Sequence, residues 1–296
     1  MPDIRTALLM AVGALGLVFT VRYGRAIVAE PGVRRWPSVV QLLIGVVVNF
    51  FDTLGIGSLA TTTTAFKALR MVPDERLPAT MIVGLTLPVA TQALIFITVV
   101  QIDATLLALM IATALAGGWL GAGVVSQLPR RPIQVGMGIA LLVAALFMVL
   151  SQLGLMPGGG AALSLSAGRL WIALAINFIF GALIMLGIGN YGPTFVLLSV
   201  LGMDPRAAFP IMMGSGAFAA LVGAMRFLKA GHVALRPALG LTLGGIPAVL
   251  VAALLVKSLP LDAMRWVVVV VVIYAALVML TSAARRTASA PPPPAS

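Results

Sequence analysis

Nine stretches of the chain run for 16 to 24 residues almost without charge: 6–21, 38–56, 78–100, 104–127, 132–151, 169–188, 207–228, 237–256 and 263–282. A hydrocarbon core about 30 Å thick takes about 20 apolar residues per helix. Lipid offers no partner to an open backbone, so only helices and closed barrels cross it. Runs of this length specify an all-α, polytopic membrane protein. Composition agrees, with 61% AVILMFWYC and 9% DEKR where soluble domains carry about 25% charged residues. The absence of Cys removes disulfide scaffolds, thiol chemistry and Cys-based zinc sites. Nineteen Lys and Arg against eight Asp and Glu would suggest nucleic acid in a soluble chain. In a membrane protein such an excess reports orientation, and no nucleic-acid partner is expected. The first run resembles a signal peptide, but Arg22 and Arg25 separate it from the cleavage-like Ala-Ile-Val-Ala at 26–29, which favours an uncleaved helix.

An internal repeat organises the runs. Shifted by 132 residues, Leu-Gly-Ile-Gly at 54–57 falls on Leu-Gly-Ile-Gly at 186–189, and, this block included, 11 of the 31 ungapped columns from 54 to 84 are identical. Thr62 then pairs with Thr194, Pro73 with Pro205, Pro78 with Pro210 and Gly84 with Gly216; further on the shift becomes 131, pairing Leu128-Pro129 with Leu259-Pro260. Repeats of this kind build transporter folds. The expected organisation is an extra N-terminal helix and basic loop at 1–37, repeat 1 at 38–151, a Gly-rich linker at 152–168, repeat 2 at 169–284 and a disordered Pro-rich tail at 285–296.

Whether the repeats are parallel or inverted depends on the broken elements 38–72 and 169–203. If each returns as a hairpin to the side it entered, 14 of the 19 positive residues share one side; if each crosses once, they divide 10 to 9. The positive-inside rule selects the hairpins. The prediction is two inverted-topology repeats, each a broken helical hairpin plus three transmembrane helices. The location is then the cell inner (plasma) membrane, with the N-terminus outside and the C-terminus cytoplasmic.

Gly55-Ile-Gly57 and Gly187-Ile-Gly189 interrupt apolar helices, where glycine costs about 1 kcal/mol relative to Ala. Irregular backbone at membrane depth survives when it is buried in protein or lines a cavity. Breaks of this kind aim half-helix N-termini, with their free N–H groups, at an anion. The first is followed by Ser58-Leu-Ala-Thr61-Thr62-Thr63-Thr64 and the second by Asn190-Tyr191-Gly192-Pro193-Thr194. Candidate substrate-binding residues are therefore Gly57, Ser58, Thr61, Thr62, Gly189, Asn190, Tyr191 and Thr194. The competing reading is a tight hairpin whose threonines bond back to their own helix. Asp52 is the one acid of eight placed at depth, and two roles suit it: a proton-coupling carboxylate or a partner for the broken backbone. Its repeat counterpart is Ile184. Asn49 and Asn177 suit interhelical hydrogen bonding before ligand binding. Lys67 and Arg70 suit either an inner vestibule or the capping of a helix end. His232 has no companion ligands, so no metal is expected, and Gly117-x-x-x-Gly121 and Gly240-x-x-x-Gly244 point to close helix packing.

At these residues the sequence resembles the TauE/SafE family of sulfite exporters and anion permeases. The resemblance rests on two Gly-rich breaks, each followed by a short helix, a charged Pro turn and another span. Asn49-Phe-Phe-Asp-Thr-Leu-Gly-Ile-Gly57 and Met203-Asp-Pro-Arg-Ala-Ala-Phe-Pro-Ile-Met-Met-Gly214 carry it most clearly, and it extends over about residues 38 to 282. Ser58 and Asn190 stand where a third Gly is common in the family, and Thr61 stands where Pro193 retains the usual Pro. The resemblance implies secondary transport of a small anion such as sulfite, a sulfonate or another organosulfur or carboxylate anion. Transport would proceed by alternating access between two hairpin tips, without cofactor, metal or enzymatic chemistry. The partners are then the anion, the lipid bilayer and, in one arrangement, a second copy in a homodimer. An anion channel and a non-transporting assembly or receptor protein of the same fold are the alternatives.

Overall fold

The computed structural model describes residues 3–30, 36–55, 57–129, 153–155, 160–187, 189–204 and 207–255, with single positions between 132 and 150 and between 273 and 280. The described residues form helices α1 (Ile4–Ala29), α2 (Val39–Thr53), α3 (Ser58–Ala68), a 3-10 turn (Asp74–Arg76), α4 (Leu77–Val99), α5 (Ala104–Val125), α6 (Ala167–Ile184), α7 (Tyr191–Val200), α8 (Ala208–Ala230) and α9 (Leu235–Leu255), and no strand. Six of these segments are long and apolar enough to cross a membrane. The few described positions of the expected spans 132–151 and 263–282 are helical; the rest of both, the tail 285–296, and Ile56 and Ile188 lie outside the described residues.

Helix boundaries follow local chemistry. Ser38 begins α2 with a capping box, its Oγ accepting from Gln41 N and Gln41 Oε1 accepting from Ser38 N. Asp103 caps α5 through Leu106 N at 2.7 Å. The first helix is longer than the run 6–21 predicts. At 26 residues it spans about 39 Å, so it continues beyond an apolar core and carries Arg22 and Arg25 on its exposed final turns.

Contacts between helices fix their directions. Thr80 of α4 accepts from Ala234 N at the start of α9, whereas Phe96 near the end of α4 stacks on Phe209 at the start of α8. The repeat-equivalent helices α4 and α8 are therefore antiparallel. Gln41 and Asn49 of α2 meet Gly240 and Gly245 of α9, and Phe178 and Ala182 of α6 meet Gly117 and Gly121 of α5. So α2, α4 and α9 run one way and α5, α6 and α8 the other. Because α2 and α4 start at the same end, the chain between them must return through α3. In repeat 2 the return is visible directly: Arg169 at the start of α6 donates to Leu201 O just after α7. Both broken elements are hairpins, and the repeats are inverted.

The two repeats exchange partners across the antiparallel pair. α8 is the most enclosed helix, with 83% of its most apolar stretch buried, against 11% for the peripheral α1. Small residues set the spacing, since a Cβ on Gly117 would strike the Phe178 carbonyl and one on Gly244 the Leu42 carbonyl. The GxxxG segments are thus packing devices. Pro88 inside α4 cannot donate to the Gly84 carbonyl, and Thr242 Oγ1 from α9 supplies that bond at 2.8 Å.

Asn49 and Asn177 join this packing as neither simple equivalents nor ligands of a common site. Gly45 and Asn49 of α2 align with Asn177 and Gly181 of α6, so Asn and Gly exchange places one turn apart. Both amides nevertheless reach equivalent carbonyls in the opposite repeat: Asn177 Nδ2 donates to Met110 O at 2.6 Å and Asn49 Nδ2 to Leu241 O at 3.5 Å.

Charge is uneven along the bundle. Among the described residues, the end where α2, α4 and α9 begin carries Arg22, Arg25, Lys67, Arg70, Arg76, Arg226, Lys229 and Arg236, while Arg5 and Arg169 lie at the other.

Candidate functional site

The hairpin tips are where the glycines are required. Gly55 and Gly187, equivalent in the repeat, both have φ +86°, and Gly57 has φ +90°. A side chain at such angles is strained, so glycine ends the first arm of each hairpin. The arms are short: α2 and α3 have 15 and 11 residues, about 22 Å and 16 Å long. Neither is long enough to cross a hydrocarbon core of about 30 Å by itself.

The tips meet from opposite sides. A cavity of about 40 Å³ is lined by Gly57 and Ser58 at the start of α3 and by Gly189, Asn190 and Tyr191 at the start of α7, with Asp52 between them. At about 10–15 Å³ per water, it holds about three waters or one small oxyanion. Ile82, Leu85 and Val89 of α4, Ile184 of α6 and Ala220 of α8 form apolar walls. Two helix N-termini therefore point into one small, weakly polar space, the arrangement that favours negative charge.

A hydrogen-bond network crosses that space. Gln92 Nε2 donates to Asp52 Oδ2 at 2.8 Å and approaches Thr53 Oγ1 at 3.1 Å. Thr53 spends its own proton on Asn49 O at 2.8 Å, so it can only accept from Gln92, and this orients the amide. Tyr191 OH donates to Gln92 Oε1 at 2.9 Å and lies 3.4 Å from Asp52 Oδ2. Ser58, at the start of α3, lies beside the same carboxylate. Asp52 thus sits at the N-terminus of α3 and touches the opposite hairpin through Tyr191. Asn190 Nδ2 instead ties its tip to Met212 O of α8 at 3.2 Å.

The threonine run divides sharply. Thr61, Thr63 and Thr64 return their hydroxyls to Ser58 O, Leu59 O and Ala60 O at 2.8 to 3.0 Å. Thr62 does not. Its Oγ1 is buried with no partner among the described residues, and the same holds for its repeat equivalent Thr194. Each stands one helical turn behind the cavity wall, after Ser58 and after Asn190. A buried polar group without a partner is uncommon and calls for an explanation, and two in symmetry-related places share one.

Of the predicted residues, Gly57, Ser58, Gly189, Asn190, Tyr191 and Asp52 come together at the cavity. Thr61 is committed to its own helix, and Asn49 and Asn177 to helix packing. Lys67 forms an ion pair with Asp74 at 2.5 Å. His232 is exposed in the turn after α8, and among the described residues no group of three His, Asp or Glu gathers. Gln92 escaped sequence reasoning. The signal available was an uncharged amide in the interior of an otherwise apolar span.

Residues 170–296 match the family model TauE, described as sulfite exporter TauE/SafE. The match covers the second hairpin with Gly189, Asn190, Tyr191 and Thr194, the residues by which repeat 2 enters the cavity. No curated protein and no solved structure matches the chain.

Proposed function

We propose that the protein is a secondary transporter of a small anion, holding it between the two hairpin tips and exposing it alternately to either side. The observation that carries this reading is the convergence of two oppositely directed helix N-termini on one small cavity. Helix ends bind an oxyanion through N–H groups and dipoles without a fixed cation, so the ion can also leave. The family match over repeat 2 supports transport, and sulfite as the first substrate to try. The cavity of about 40 Å³ suits sulfite; bulkier sulfonates require the tips to part. Alternating access follows from inverted repeats, because rocking one against the other exchanges the open side while the site stays fixed.

Flux of labelled sulfite into proteoliposomes tests the proposal. Saturable, protein-dependent uptake is the expected result. Binding without flux would point to a receptor or assembly protein, and sub-millisecond conductance to a channel. We place the protein in the plasma membrane with its N-terminus outside. Single cysteines at Pro73 and Gly231, in a chain that has none of its own, should then both label from the cytoplasm; labelling of both from outside reverses the orientation.

A further inference from the structure

We propose that Asp52 is a tethered competitor of the substrate, so that each anion enters the site together with one proton. This rests on the anion-transport reading and adds to it the coupling ion and the residue that carries it.

The argument begins with the donors. The donors at the cavity are Ser58 at the start of α3 and, across from it, Asn190 and Tyr191 at the start of α7, and Asp52 lines the same space. Asp52 lies beside Ser58 and accepts from Gln92 Nε2 at 2.8 Å, while Tyr191 OH, 3.4 Å from the same carboxylate, donates to Gln92 Oε1. The carboxylate therefore occupies the place at the α3 terminus that the substrate needs. A second anion in a cavity of about 40 Å³ would lie within a few ångströms of it, where like charges repel strongly because little water screens them. Among the described residues lining the cavity, no Lys, Arg or His is present to neutralise either charge, and Tyr191 is the other titratable group. Lys67, on the second arm of the same hairpin, is paired with Asp74. A proton on Asp52 resolves both conflicts. It removes the charge, and it leaves Ser58 at the α3 terminus free to turn to the incoming oxyanion. No bond is broken; the proton comes from the aqueous side that the site faces and leaves with the anion.

The arrangement is one-sided. The position equivalent to Asp52 in repeat 2 is Ile184, buried against the same cavity. One carboxylate means one coupled proton, not two.

Steady-state sulfite accumulation in proteoliposomes, at clamped membrane potential and with an imposed pH gradient, tests the proposal on wild type and Asp52→Asn. Sulfite's own titration is common to both. Wild type should respond about tenfold more per pH unit than the variant, the factor one extra proton supplies. Equal responses overturn the proposal. If Asp52→Asn does not fold, a pH-sensitive dye inside wild-type vesicles decides. One proton should move per sulfite beyond the number the anion itself carries, and its absence overturns the inference. Sulfite flux that ignores Asp52 leaves the transport reading standing without this coupling. Absence of flux in wild type removes both.

Discussion

The two hairpin tips are built on one plan and differ in what they present. Both turn at a glycine with φ +86°, and both bury a threonine hydroxyl with no partner among the described residues one turn behind the cavity. Their chemistry departs at three aligned positions: Asp52 faces Ile184, Ser58 faces Asn190 and Leu59 faces Tyr191. The scaffold is two-fold and the site is not. An inverted fold needs the symmetry, because its two gates must open by equivalent motions. A single small anion does not, because it sits between the tips and can be met by different groups on each side. Carboxylate and tyrosine thus come from opposite repeats and meet across the axis.

Breaking the shared scaffold should do the most damage, and equally in the two halves. Gly117→Leu and Gly244→Leu each drive a side chain into the backbone of a neighbouring helix, an overpacking that no rotamer relieves. Neither variant should yield monodisperse protein on size exclusion; survival of one alone would show that the halves do not pack alike. Next comes the asymmetry itself. Ile184→Asp gives the second tip the carboxylate of the first, an unpaired buried charge, and should lower sulfite flux by about 100-fold. Ile184→Asn, close in size and neutral, should stay within about tenfold, so equal losses would blame shape and not charge.

The orphaned hydroxyls sharpen the comparison further. Thr62→Val and Thr194→Val remove no hydrogen bond seen in the fold, so stability should change by no more than about 1 kcal/mol. Flux should still fall about tenfold in each. Thr63→Val, which loses the bond to Leu59 O, is the control expected to melt lower with normal flux. Normal flux in both Val variants would take the threonines out of the site. The smallest effect belongs to Lys67→Met. With Lys67 already paired to the buried Asp74, the sulfite KM should move less than about threefold, because a lysine already paired does not draw an anion; a rise of tenfold would restore Lys67 as a vestibule cation.

Much of this was legible in the chain. The breaks could be read because glycine inside an apolar run has few other uses, and the hairpin return because charge had to fall on one side. Thr61 to Thr64 show the limit of such reading. Four identical residues in a row look equivalent, yet three of them bond a carbonyl of their own turn and Thr62, fully buried, bonds none among the described residues. Gln92 shows it again: its spacing from Asp52 along the chain, 40 residues, carries no periodic signal.

The sequence by itself determined that the protein is helical, spans a membrane and is built of two inverted halves, because burial of apolar surface and charge asymmetry act along the chain and leave their pattern there. Tertiary structure alone decided which donors meet which acceptor. Asp52, Gln92 and Tyr191 come from three helices and two repeats, and a contact between side chains of 2.8 to 3.4 Å depends on how those helices pack, a quantity that no local run of residues encodes.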